Sequence, residues 1–260
     1  IIVNALINGS SENAFWQADL QLIVFGKGNG VSTGNYANSL DVHAHEMTHG
    51  VISSTSKLRY EFQSGALNEA FADFFGTQLD REDWTIGEDI RLDGTPIRSL
   101  ANPNLYDQPA HMSQYLYLSA SEDHGGVHRN SGIPNRAMYL LSSGLSEENL
   151  GISIGRAKAG QIVWETMTSL PNDANFEDAA RQMIAIAGSL YGSESIEQSA
   201  TEAAWVAVGI PQENLLLSTI NFSNAEVSAY NSILYLNPLY DPSTVPPEEN
   251  TFNLYAQHYA

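Results

Sequence analysis

"LDVHAHEMTHG", residues 40–50, places three histidines, a glutamate and an aspartate within eleven positions. On an α-helix, residues four apart share a face at about 6 Å, so His45 and His49 can grip one ion. Glu46 lies about 100° further round, where it cannot join them but can reach a water beside the ion. Two ligands and a base are the logic of H-E-x-x-H. Taken alone, the stretch reads equally as a polar surface helix whose histidines fall four apart by chance.

A catalytic zinc needs a third protein ligand and one open corner. The next helical stretch, "SGALNEAFADFFGTQLD" (64–80), has Ser64 as its expected cap and carries Glu69, Asp73 and Asp80 on one face. The first helix, expected from Asp41 as cap to about Ser54, likewise aligns Asp41, His45 and His49. Antiparallel packing sets Asp41 against Asp80, His45 against Asp73 and His49 against Glu69. The lengths nearly agree, about 12 Å against about 16 Å. His45, His49 and Glu69 then form a zinc site, with Asp73 accepting from the other nitrogen of His45. At the far end Asp41 and Asp80 repel unless a hard cation joins them. "DREDWTIGED" (80–89) adds Asp83 and Glu88, oxygen ligands suited to calcium. The plain alternative for these two is a solvated acidic turn.

Composition narrows the chemistry. The 260 residues are 43% hydrophobic, enough to bury a substantial core in one large domain or two medium ones. Thirty acidic against eleven basic residues give a net charge of −19, which disfavours nucleic acid and anionic membranes and favours cations. With no cysteine, any metal is held by His, Asp, Glu or carbonyl oxygen. No run of eighteen apolar residues spans a membrane. The opening "IIVNALING" has neither methionine nor a signal pattern, so a processed or trimmed product is expected.

Along the chain there is no internal repeat. Residues 1–40 read as short strands and Gly/Asn turns, "LQLIVFG" broken by "GKGNG". Residues 81–132 read as loop-rich. Helices are expected at about 155–170, 176–191 with Asn175 as cap, and 194–208, stopped by Gly209 and Pro211. In the second of these Phe176, Ala179, Ala180, Met183, Ile184 and Ala187 recur at helical steps and mark a core face. Residues 211–260 read as an extension, partly extended or strand-like.

"HEMTH" followed by "GALNEAFADFFG", with its glutamate twenty residues after the second histidine, closely resembles the thermolysin-like zinc metallopeptidases. Thermolysin is itself the known example of the His/His/Glu zinc set, so that ligand set is not new. The resemblance continues through "NAFW" (13–16), "DWTIGED" (83–89), "IRSL" (97–100), "GGVHRNSGIPN" (125–135) and "IGRAKAGQIVW" (154–164), covering about residues 3–209. It implies an α+β, mainly helical fold: a remnant of the β-rich N-terminal part, a central active-site helix and a C-terminal helical bundle. The division it implies is 1–55, 56–209 and an extension, 210–260.

By resemblance, His45, His49 and Glu69 are the zinc ligands and Glu46 the general base. His128 and Tyr60 resemble the pair that stabilises the oxyanion, and Asp123 the carboxylate orienting His128. Spacing alone would not choose His128 over His124, His111 or His43. Arg98 resembles the residue that binds a substrate carbonyl; Asn13 and Ala14 resemble the edge strand that holds the peptide. Asp41, Asp80, Asp83 and Glu88, with the Thr85 carbonyl, resemble one structural calcium site, since "TQLDREDW" is too short for a second. Val42, Ile86, Ile90 and Ile97 resemble the pocket for a bulky apolar residue after the cut; packing alone would also explain them.

The implied activity is that of a secreted, extracellular neutral endopeptidase acting on peptide or protein substrates. Two other readings stand beside it: a zinc aminopeptidase, for which no acidic amine anchor is visible, and a non-catalytic zinc/calcium scaffold or binding module. Family members carry a long β-rich segment before "NAFW" where this sequence has twelve residues, so a fragment, or a separate N-terminal segment as partner chain, is expected. Residues 211–260 have no counterpart in the family's catalytic unit.

Overall fold

The run "LIVFG" supplies the middle strand of the N-terminal sheet. The structure, a computed structural model, describes residues 4–216. Strand β3 (Leu22–Gly26) is buried along most of its length and pairs on both sides: parallel to β1 (Asn4–Gly9) and antiparallel to β2 (Ala14–Gln17), which is therefore an edge. Ile23 and Phe25 pack with Ala14, Tyr36, Val42 and Ile90, tying the sheet to the first helix.

Helix α1 (Leu40–Ser54) starts two residues earlier than an Asp41 cap would give, with Ser39 as N-cap. Asp41 is not the cap. It lies in the first turn, where its carboxylate accepts from the Ser39 hydroxyl, from Val42 N at 2.6 Å and from Gly87 N at 2.6 Å. Helix α2 (Phe62–Leu79) likewise begins before Ser64, from Glu61. Ser64 turns back to donate to the Arg59 and Glu61 carbonyls, both at 2.9 Å. Thirteen of the eighteen α2 residues are buried, which makes it the central helix. Gly76 lets α2 lie close to α1: a Cβ there would stand 3.0 Å from the Asp41 carbonyl oxygen.

Residues 81–122 hold the short hairpin of β4 (Thr85–Ile86) and β5 (Arg98–Ser99) and isolated helical turns. Helix α3 (Asp123–Asn130) begins inside the stretch expected to be loop. Beyond it, α4 (Gly132–Tyr139), a π-turn at Leu140–Gly144 and α5 (Leu145–Glu147) form a helical run that no local sequence signal marks. Its residues are buried on nearly all sides, and Gly132, Pro134 and Gly144 weaken its local helix signal.

The remaining helices follow their local signals. They are α6 (Gly155–Ser169), α7 (Phe176–Tyr191) and α8 (Ile196–Ala207). Asn175 and Asp178 form a reciprocal capping box on α7, and the six apolar residues of its expected core face are the buried ones. The chain divides into two units, the first ending at Ile210 and the second beginning at Pro211. Of the second, Gln212–Leu216 is a helix rather than extended chain; the strand-like reading of the rest lies outside the described residues.

Candidate active site

His45 and His49, one turn apart on α1, bring their Nε2 atoms to 3.0 Å. Each ring's other nitrogen is already engaged: His45 Nδ1 lies 2.9 Å from Asp73 Oδ1, and His49 Nδ1 lies 2.7 Å from Asn68 Oδ1. A neutral imidazole has one N–H. With that hydrogen on Nδ1, both Nε2 atoms are acceptors and cannot bond one another. Glu69 on α2 closes the group, its two oxygens each 3.5 Å from one of the Nε2 atoms. Glu69 is buried, and its Oε2 has no hydrogen-bond partner. Among the described residues this is the group of three potential ligands whose donor atoms converge within 4.8 Å. Converging buried lone pairs suit a cation, and two imidazoles with a carboxylate suit zinc.

The electrostatics agree. Burial alone would lower the His45 pKa, yet the bond to Asp73 and the charges of Glu69, Asp73 and Glu46 push it up to about 8. Burial alone would raise Glu69, yet the charges of His49, His45, His128 and Arg98 hold it at about 2. The raised His45 value reflects surroundings that favour positive charge on its ring, and the lowered Glu69 value keeps that carboxylate ionised beside it.

Asp73 is fully buried and carries three hydrogen bonds in addition to its 2.9 Å contact with His45. It accepts from Arg98 Nε at 2.9 Å, Arg98 Nη2 at 2.6 Å and Asn135 Nδ2 at 2.9 Å. Burial opposes its charge, but Arg98 and His45 hold its carboxyl well below the usual range. Arg98 is held above the usual arginine range by Asp73 and Glu69, despite burial acting the other way.

A cleft of about 710 Å³ opens over the three ligands. Glu46, only 5% exposed, lines it beside them. Asn13 and Ala14 line one rim, at the start of the edge strand β2. Val42, Ile86, Ile90 and Ile97 line the cleft together with Arg98. This apolar end lies by the first turn of α1, where Gly87 N bonds to Asp41 and Ile97 N bonds to the Ile86 carbonyl.

Tyr60 and His128, far apart in sequence, meet at the mouth. The Tyr60 hydroxyl donates to Glu69 Oε1 and lies 3.0 Å from His128 Nε2. Burial, then the Glu69 charge, push the Tyr60 pKa well above the usual phenol range, so it stays a donor. Asp123 Oδ1 lies 2.5 Å from His128 Nδ1, while Asp123 Oδ2 accepts from the backbone N–H of His128 and Arg129. This grip depends on an unusual start to α3. Asp123, His124, Gly125 and Gly126 all have positive φ, between 50° and 87°, forming a left-handed turn that aims the carboxylate back at His128.

The acids expected to hold calcium lie around the α2–β4 turn and the first turn of α1. Asp83 Oδ1 accepts from Thr85 N and Oγ1, both at 2.7 Å, and Glu88 Oε2 accepts from Thr85 Oγ1 at 2.8 Å. Asp80 Oδ1 accepts from Glu82 N at 3.3 Å. Burial, then the neighbouring charges of Asp41 and Asp83, raise the Glu88 pKa. Three further residues are not singled out by the sequence reading: Asn68 and Asn135, which contact His49 and Asp73, and Lys57, which lines the cleft. None belongs to a spacing pattern, and only the fold brings them in.

Comparison with known proteins gives this geometry a family. Residues 2–53 match the thermolysin metallopeptidase catalytic domain, and residues 56–210 the thermolysin metallopeptidase alpha-helical domain. The chain is 44% identical to bacillolysin of Bacillus amyloliquefaciens over 213 residues, 80% of this chain and 38% of that protein. It is 43% identical to neutral protease NprE of Bacillus pumilus, covering 80% of this chain and 67% of NprE. Among solved structures it is similar to the precursor of protealysin, a metalloproteinase from Serratia proteamaculans. There the TM-score is 0.67 at 35% identity, with 78% of this chain and 66% of the other covered. The chain thus spans about two fifths of the length of the bacillolysin it matches, and it belongs to the thermolysin metallopeptidase family.

Proposed function

We propose that this chain is a zinc-dependent neutral endopeptidase that prefers a bulky apolar residue after the cut. The observation that carries the reading is Glu46 lining the cleft beside the convergent donors of His45, His49 and Glu69. A zinc ion held by those three would lower the pKa of a water from 15.7 toward about 7 and polarise the scissile carbonyl. Glu46 takes the proton of the attacking water and passes it to the leaving amine, a contribution of roughly 10²- to 10⁴-fold. His128, oriented by Asp123, and Tyr60 donate to the developing oxyanion, each donor worth about 10²- to 10³-fold in comparable sites. Asp73 fixes the ring of His45. Arg98 keeps Nη1 for a substrate carbonyl while its other donors hold Asp73. The Asn13–Ala14 edge offers backbone groups to an extended peptide, and Val42, Ile86, Ile90 and Ile97 receive the apolar side chain.

On this reading residues 1–55 are the remnant of a β-rich part plus the active-site helix, and 56–209 the helical domain. Asp41, Asp80, Asp83, Glu88 and the Thr85 carbonyl hold one structural calcium. An extracellular location is supported by relatives such as the extracellular elastase of Staphylococcus epidermidis, 40% identical over 202 residues. No helix among the described residues is long and apolar enough to cross a membrane.

The test is Glu46→Gln with an N-blocked peptide carrying leucine after the scissile bond. The variant should keep stoichiometric zinc and lose turnover by at least about 10²-fold. Unchanged turnover would remove Glu46 from the chemistry, and wild type cutting only free-amine peptides would point to an aminopeptidase.

A further inference from the structure

The cleft has two ends, and only one is explained by an apolar pocket. Val42 marks the end at the first turn of α1, and Ser53 the end at its last, about 16 Å apart along the helix. His45 and His49 lie between. At the Ser53 end Trp16 packs against Gly50, its ring 3.3 Å from where a Cβ would stand, and donates from Nε1 to Ser53 Oγ at 3.2 Å. Lys57, just past the helix, lines the cleft beside Ser53 and Leu58.

Two observations make Lys57 unusual. Its backbone lies in the left-handed region, φ 57°, while its N–H closes the helix by bonding to the Ile52 carbonyl at 2.8 Å. Glycine or asparagine is the residue such a turn favours. Its ammonium also makes no ion pair or hydrogen bond with a described residue. The other cation lining the cleft, Arg98, is neutralised by Asp73. A divalent ion on His45, His49 and Glu69 would offset Glu69 and Glu46. Lys57 then stands as the one uncompensated side-chain charge among the residues lining the cleft, in a chain whose net charge is −19.

We infer that Lys57 is a specificity-determining residue that selects an acidic side chain on the part of the substrate preceding the scissile bond. This rests on the peptidase reading, in which the apolar end holds the residue after the cut. From His49 to the end of α1 is about 7.5 Å. That is roughly two residues of extended peptide, so Lys57 meets the first or second residue before the cut.

The experiment compares kcat/KM of the zinc enzyme on matched N-blocked peptides with leucine after the scissile bond. Glutamate or glutamine occupies the first, then the second, preceding position. Wild type should favour glutamate by about two- to fivefold at one of them, the size of a partly exposed ion pair, and added salt should shrink the ratio. Lys57→Met should bring the ratio to about one, and Lys57→Glu should reverse it in favour of a lysine peptide. Lys57→Gly relieves the turn, so it should lose the preference without losing thermal stability. If the lysine served only the end of the helix, the ratio would survive all three substitutions. A wild-type ratio at or below one, or one unmoved in Lys57→Met, overturns the inference while leaving peptide hydrolysis intact. Failure to cut any of the peptides sinks the peptidase reading itself.

Discussion

Asp73 and Arg98 form a doubly hydrogen-bonded ion pair beneath the cleft, at 2.6 and 2.9 Å, and the same carboxylate lies 2.9 Å from His45 Nδ1. One buried charge therefore orients both a proposed metal ligand and a proposed substrate-binding group. Asp73→Asn should cost about 3–5 kcal/mol, because it strands a largely buried guanidinium without its partner. It should also weaken metal affinity by roughly 10- to 100-fold through the loosened His45 ring. Urea unfolding and competition with a zinc chelator measure the two effects. A variant as stable as wild type would show that Arg98 finds solvent once Asp73 is neutral.

Stability without metal should peak in mildly acidic solution. Glu69 has a folded pKa held at about 2, below its ordinary 4.5, so its contribution is present above 4.5 and lost as pH falls toward 2. His45 has a folded pKa raised to about 8 from 6.5, so its contribution is present below 6.5 and lost as pH rises through 8. The metal-free chain should thus be most stable between about pH 5 and 6.5. Zinc needs the deprotonated ring, so metal should add most stability above pH 8. Thermal scans with and without zinc across this range check the crossing; parallel curves would contradict it.

Calcium should reverse the pH response of the acidic cluster. Glu88 has a raised pKa, so without a cation the folded chain gains stability as pH falls through that value toward the ordinary 4.5. With calcium bound, the ion competes with the proton and acidification should destabilise instead. At calcium a hundredfold above its dissociation constant the added stability is about 2.7 kcal/mol. EGTA should lower the midpoint of thermal unfolding and hasten autolysis at neutral pH. Indifference to EGTA would leave these acids as a solvated turn.

The left-handed turn before His128 should be intolerant of side chains. A Cβ on Gly125, at φ 85°, would stand 2.4 Å from the Phe62 ring. Gly125→Ala should cost about 1–3 kcal/mol in backbone strain alone. If Asp123 is displaced with it, kcat should fall toward the value for His128→Ala while zinc content stays unchanged. A kcat equal to wild type would show that the Asp123–His128 contact survives without this turn.

The features of this protein that depend on short-range spacing are legible in the amino-acid sequence by itself. His45 and His49 share a face because of helix geometry alone, and the apolar period of α7 marks its buried side. Caps are less secure: Asp41 and Ser64 have the right chemistry, but neighbours decide their roles, Asp41 reaching Gly87 and Ser64 turning back to Arg59. The run from Gly132 to Glu147 is hard to read because Gly132, Pro134 and Gly144 are poor helix formers and tertiary burial overrides that local preference. What only tertiary structure decides are the long-range meetings. Tyr60 reaches His128 across 68 positions, Asn135 reaches Asp73 across 62, and Lys57 lines the same cleft as Asn13. Local propensity acts over a few residues, whereas these contacts exist because helices and sheet bury apolar faces that fit one another.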